Sequence, residues 1–142
     1  MCRAHAAVRQ LLAGLLDERD VTTIIDMEAG LEHLSRGTAR HVDTLLAVME
    51  PYYKSLETAR RCAELARELG IARTLAIANK SRNEADRTGV RDYAAAHDIG
   101  VIGEVPFDQA IWQADLSGHA PQYSHESPAV QAIELLATAL GL

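Results

Sequence analysis

The sequence predicts an α/β fold in which a parallel β-sheet is flanked by helices. Short runs of continuous apolar residues, at 21–25, 44–49, 74–78 and 100–105, have the character of strands covered on both faces. Helical periodicity fills most of the intervals between them, as parallel strands require crossover connections. Each run also ends at a chemically distinctive residue (Asp26, Glu50, Asn79 or Pro106), and parallel sheets place ligands at the carboxyl ends of their strands.

Residues 4–16 carry Val8, Leu11, Leu12, Leu15 and Leu16 at the spacing of an amphipathic helix. The run 21–25 follows. The stretch 27–40 is irregular, with Gly30 and Gly37 where the backbone needs freedom. The second run is closed by Glu50-Pro51, because proline disfavours helix at the residue before it. Ser55 is the expected N-cap of the next helix, with Glu57 in its first turn. That helix carries Ala59, Cys62, Ala63, Leu65, Ala66 and Leu69, and Gly70 suits its C′ position.

The third run ends in Asn79-Lys80, and a helix is expected over 87–97. The fourth ends at Pro106, after which Asp108 can cap a short helix through Ile111 and Trp112 that stops near Gly118. Residues 119–126 form an expected loop. Ser127-Pro128 pairs a cap with proline at the first helical position, opening a last helix to about Leu140. There is no internal repeat and no low-complexity segment.

At 142 residues the chain suits a single domain, 1–142. Aromatic residues make up only 4%, so the core must be built from Ala, Leu, Ile and Val. The formal charge is −6 and no basic stripe interrupts it, which argues against nucleic acid as a partner. It argues equally against an electrostatic membrane anchor, and residues 128–142 contain no Lys or Arg. No apolar run approaches the length of a membrane span, and no signal pattern opens the chain. The two cysteines, Cys2 and Cys62, are far apart, so no disulfide framework is expected and a reducing cytoplasm is the natural location.

Three strand ends could carry chemistry. An apolar run delivering Asp26, followed by Gly30, is an arrangement that holds Mg²⁺ near a nucleotide through a metal-bound water. An exposed aspartate at a strand end is the plainer alternative. Asn79, followed by Lys80, offers a carboxamide that can both donate to and accept from a purine edge, although Asn here is more often a turn former. Pro106, Phe107 and Asp108 form a rigid segment that could wall a base, or simply a strand-to-helix turn.

Taken in order, these segments resemble the MinD/ParA-type P-loop ATPases from Met1 to about Gly118. The segments are Asp26-x-Glu28-Ala-Gly30-x-Glu32-His33, then Ser55-Leu-Glu57-Thr-Ala59, Asn79-Lys80 and Pro106-Phe-Asp108. The Glu-Ala-Gly-x-Glu-His wording is similar to the CooC-like proteins, the nickel-insertion ATPases of carbon monoxide dehydrogenase maturation. The resemblance implies that Asp26 is the Walker B acid, positioning Mg²⁺ through water, and Gly30 the glycine of a switch-II-like loop. It implies that Asn79 contacts the base and that residues 106–108 line the adenine of ATP or ADP. It also implies a homodimer and a carbon monoxide dehydrogenase client. The roles of Glu28, Glu32 and His33 stay open. Met1-Cys2-Arg3-Ala4-His5 resembles the region where CooC-like proteins carry a Cys-x-Cys pair that binds metal between subunits. Here Cys2 stands alone, with His5 three residues on, as a half-site for Zn²⁺ or Ni²⁺.

The Gly-x-x-x-x-Gly-Lys-[Ser/Thr] phosphate loop does not occur in the sequence. Lys54 follows tyrosine and Lys80 follows Asn79, so neither is the phosphate lysine. The expectation is an N-terminally truncated P-loop NTPase domain that does not hydrolyse ATP alone, with a partly exposed core prone to association. Two other readings remain: a non-catalytic interaction module or split subunit, and a different MinD/ParA-type ATPase.

Overall fold

The computed structural model describes residues 22–27, 42–121 and 125–142. Its centre is a three-stranded parallel sheet in the order β1 (Thr44–Met49), β2 (Arg73–Ser81) and β3 (Gly100–Pro106). Helix α1 (Tyr53–Glu68) connects β1 to β2, and α2 (Glu84–Ala95) connects β2 to β3. A short α3 (Gln109–Leu116) and a final α4 (Pro128–Leu140) complete the described elements.

Alternation along the strands sorts the two faces. Ala47 and Met49 of β1, with Ala76 and Ala78 of β2, pack against Ala59 and Ala63 of α1 and Val90 and Ala94 of α2. Six alanines in this cluster let helices and sheet approach closely, in line with the scarcity of aromatics. On the opposite face Ala129 and Leu136 of α4 pack with Val105, Ile77 and Ile102. A Cβ at Gly103 would lie 2.4 Å from Leu136 Cδ2, so glycine leaves the space that Leu136 fills. Beyond α4, among the described residues, nothing covers this face over β1, where Leu46 is 37% and Val48 54% exposed.

The helix boundaries follow local signals. Gly70 ends α1 at φ +77°, with Ile71 N–H donating to Ala66 O and Gly70 N–H to Arg67 O, a Schellman motif. Helix α2 ends the same way with Asp98 in the left-handed position. Asp108 Oδ1 accepts from the Ala110 and Ile111 N–H groups to cap α3, and Ser127 Oγ accepts from Val130 N–H to cap α4, as expected.

Three expectations are corrected. Residues 22–27 form no strand, and Ile24 is 78% exposed, so the described sheet has three strands rather than four. An apolar run becomes a strand only when a neighbour completes its hydrogen bonds, and among the described residues β1 pairs only with β2. Helix α1 starts at Tyr53, with Tyr52 as its N-cap. Ser55 instead closes the turn after β1, its Oγ accepting from Glu50 N–H at 2.9 Å. Helix α2 begins at Glu84 rather than 87, because Asn83 Oδ1 accepts from Asp86 N–H while Asp86 Oδ2 accepts from Arg82 N–H. The amphipathic run 4–16 lies outside the described residues, as do Cys2, His5, Glu28, Gly30, Glu32 and His33.

Candidate functional site

Parallel strands point their carboxyl ends the same way, so Glu50, Asn79, Lys80, Pro106 and Phe107 gather at one end of the sheet. Asn79 pairs across to Val105, and Ser81 to Pro106. The register shifts between Asn79 and Ser81 because Lys80 adopts a left-handed backbone, φ +56°, which a non-glycine residue takes at a cost. Lys80 Nζ donates to Glu50 Oε1 at 2.8 Å, tying the end of β2 to the end of β1. Asn79 is half-buried, and its carboxamide has no hydrogen-bond partner among the described residues. Two residues on, the Ser81 hydroxyl is buried and has no hydrogen-bond partner among the described residues.

The segment after β3 is anchored to the segment after β2. Phe107 N–H donates to Ser81 O at 3.0 Å, and the Arg82 guanidinium lies 4.4 Å above the Phe107 ring centroid. Trp112, one turn into α3, sets its ring 6.4 Å from that of Phe107 in a tilted arrangement. Asp108 is engaged within the chain. Besides capping α3 it accepts from Ser127 Oγ at 2.6 Å, and that hydroxyl first, then the Ile111 and Ala110 N–H groups, hold its carboxyl below the usual range. Its task in the structure is to join α3 to the start of α4.

Asp26 stands apart from this group. It is exposed, and the next residue, Met27, packs with Val42 and Leu45 against Ala66 and Ile71, where β1 and β2 begin. The structure therefore brings Asn79, Lys80, Pro106, Phe107 and Asp108 together and leaves Asp26 by the opposite end of the sheet. Among the described residues no cluster of three or more His, Cys, Asp or Glu side chains could hold a metal ion. A protein-only donor set for Ni²⁺ or Zn²⁺ is thus not assembled by them. Cys62 is a half-buried member of the Ala66–Ile71 cluster, and burial pushes its thiol pKa up.

Sequence reasoning missed Arg82 and Trp112. Trp112 was legible only as a helix position, and Arg82 meets Phe107, a residue 25 positions later in the chain. A groove of about 640 Å³ runs along β3, lined by Arg91, Ala95 and residues 99–104, none of which is a sequence-predicted site residue. Within it Glu104 is neutralised by Arg87 at 3.3 Å and by Arg91.

No protein-family model matches the chain. It is 45% identical over 118 residues to the carbon monoxide dehydrogenase accessory protein CooC of Rhodospirillum rubrum, spanning 83% of this chain and 44% of that protein. It is 41% identical over 119 residues to an uncharacterised ATP-binding protein of Methanocaldococcus jannaschii, 83% of this chain and 46% of that one. The chain thus spans about half the length of the curated relatives it matches. In structure it is similar to the MinD cell division protein of Aquifex aeolicus, with TM-score 0.78, 21% identity, and coverage of 96% of this chain and 60% of that one. The Pyrococcus furiosus cell division ATPase MinD gives TM-score 0.74 at 22% identity over 96% of this chain and 58% of that one. At those identities the likeness shows the fold. Among the described residues no helix is long and apolar enough to cross a membrane. The chain is CooC-like in sequence and carries part of the MinD-type P-loop NTPase fold.

Proposed function

We propose that the carboxyl end of the sheet is the base-recognition end of an ATP-binding protein that works in nickel insertion into a carbon monoxide dehydrogenase client. The observation that carries the reading is the half-buried Asn79, which pairs with Val105 one residue before Pro106 and whose carboxamide has no partner among the described residues. A carboxamide can accept from adenine N6 and donate to N7 at once. The relative that is a carbon monoxide dehydrogenase accessory protein supports the client, and the ATP-binding relatives support the nucleotide.

This chain's residues orient a base and do not by themselves promote phosphoryl transfer. The sequence lacks a phosphate loop, and transfer depends on electrostatic stabilisation by such a cradle. Asp26 could serve as the metal-water acid only if residues 22–26 paired alongside β1 and carried the carboxylate to the level of Glu50. Gly30 would then follow as the loop glycine. Cys2 remains a proposed half-site for Ni²⁺ or Zn²⁺ between two copies of a homodimer. The fold and the acidic charge suit a cytoplasmic protein acting on another protein.

The test is a titration of the full chain with adenosine and guanosine at up to millimolar concentration, read by amide chemical shifts. Adenosine should move the Asn79, Phe107 and Ala110 resonances, and Asn79→Ala should weaken that response by about tenfold, the scale of one paired carboxamide contact. Equal responses to the two nucleosides, or none, would remove the base reading. A non-catalytic interaction module would then be the better account.

A further inference from the structure

We infer that Arg82, layered on Phe107, is a stacking wall for the purine ring, so that the base is held between this guanidinium and the segment carrying Asn79. The inference rests on the base-recognition reading above and names a residue that neither the sequence pattern nor the relatives' names assign. Three observations converge on it. The Arg82 guanidinium lies 4.4 Å from the Phe107 ring centroid, and the Phe107 N–H bond to Ser81 O fixes that neighbourhood through the backbone. Arg82 has no ion pair and no side-chain hydrogen bond among the described residues, in a chain where Arg60, Arg61, Arg87 and Arg91 all pair with carboxylates. It is also exposed, which leaves the face turned away from Phe107 open to solvent.

A guanidinium is planar and weakly hydrated, so both of its faces can stack, and an aromatic beneath it holds the plane in place before a ligand arrives. A free arginine with only a charge to offer would gain more by pairing with a carboxylate. Glu84 and Asp86 lie two and four residues away, yet Glu84 pairs with Arg87 and Arg91, and Asp86 accepts from the Arg82 backbone N–H. The side chain is left on the ring at the carboxyl end of the sheet, two residues past the Lys80 bulge that sets off Asn79.

The only tryptophan in the chain, Trp112, sits 6.4 Å from Phe107, so its emission reports on this one place. The experiment titrates the full chain with adenosine and, separately, with ribose 5-phosphate, following Trp112 fluorescence in wild type, Arg82→Lys and Arg82→Ala. Lysine keeps the charge and loses the plane. Both variants are expected to lose about tenfold in adenosine affinity, the scale of one stacking contact, with any ribose 5-phosphate response unchanged. Arg82→Lys binding adenosine as wild type does, or a loss seen only with ribose 5-phosphate, overturns the inference in favour of a charge contact. If wild type and both variants bind adenosine equally while Asn79→Ala binds less, the stacking wall fails and the base reading survives. If wild type does not respond to adenosine by fluorescence or chemical shift, both fail. Should Arg82→Ala not fold, Phe107→Leu removes the platform at similar volume and is expected to cause the same loss.

Discussion

On one face of the sheet α1 and α2 seal β1 and β2, with Met49, Ala63, Ala76, Ala78, Val90 and Ala94 wholly buried. On the other, α4 covers β3 and reaches Ile77 of β2, while β1 presents Leu46 and Val48 to water. Connectivity explains the difference. Strands in the order β1-β2-β3 advance in one direction, and crossovers of one hand in one direction place both helices on the same face. The sealed face is therefore closed by the chain's own links between strands. Cover for the other face must come from elsewhere, and among the described residues α4 supplies only part of it.

Adjacent residues of β1 test this contrast most sharply. Met49→Ala, at a fully buried site, is expected to cost about 2–5 kcal/mol, whereas exposed Val48→Ala should stay within about 0.5 kcal/mol. Urea denaturation of both variants measures the gap. Comparable losses would mean that β1's second face is covered in solution.

A smaller effect is expected where α4 meets β3. Gly103→Ala puts a methyl group where Leu136 packs, and overpacking of this kind costs about 1–3 kcal/mol. The double variant Gly103→Ala/Leu136→Ala should lose less than the sum of the single changes, because the shorter side chain makes room for the new methyl group. Strict additivity in denaturation midpoints would show that the two residues do not touch.

The smallest effect belongs to the outer surface of the sealed face. Glu57 accepts hydrogen bonds from Arg60, Arg61 and Tyr93, which together hold its carboxyl far below the usual glutamate range. A depressed folded-state pKa stabilises the fold above the unfolded-state value and is lost as pH falls towards the folded-state one. Wild type should therefore melt slightly above Glu57→Gln at neutral pH. The advantage should persist down to the ordinary carboxylate range and fade only in stronger acid. Thermal melts of both proteins across that range check it, and a gap that widened on acidification would reverse the assignment.

Much of the fold was legible in local chemistry. The run 44–49 is a strand, Gly70 ends α1, Asp108 caps α3, and Ser127-Pro128 opens α4, each through contacts among near neighbours in sequence. The start of α2 was legible too, in Asn83-x-x-Asp86, three residues before the expected start at 87. The run 21–25 had the composition of a strand, yet among the described residues nothing pairs with 22–25, and a pairing backbone is what composition cannot supply. The strand-end residues of the candidate site were readable as types, although their relation to one another was not.

By itself the sequence determined where chains of apolar residues run, where helices are capped, and that Asn79, Pro106 and Phe107 fall just at strand ends. These are free-energy terms among residues a few positions apart. Only the tertiary structure decided that Arg82 stacks on Phe107, that Asp108 is occupied by Ser127, and that Asp26 lies by the far end of the sheet. Those outcomes depend on parallel register and helix packing between segments tens of residues apart, and no local preference encodes them.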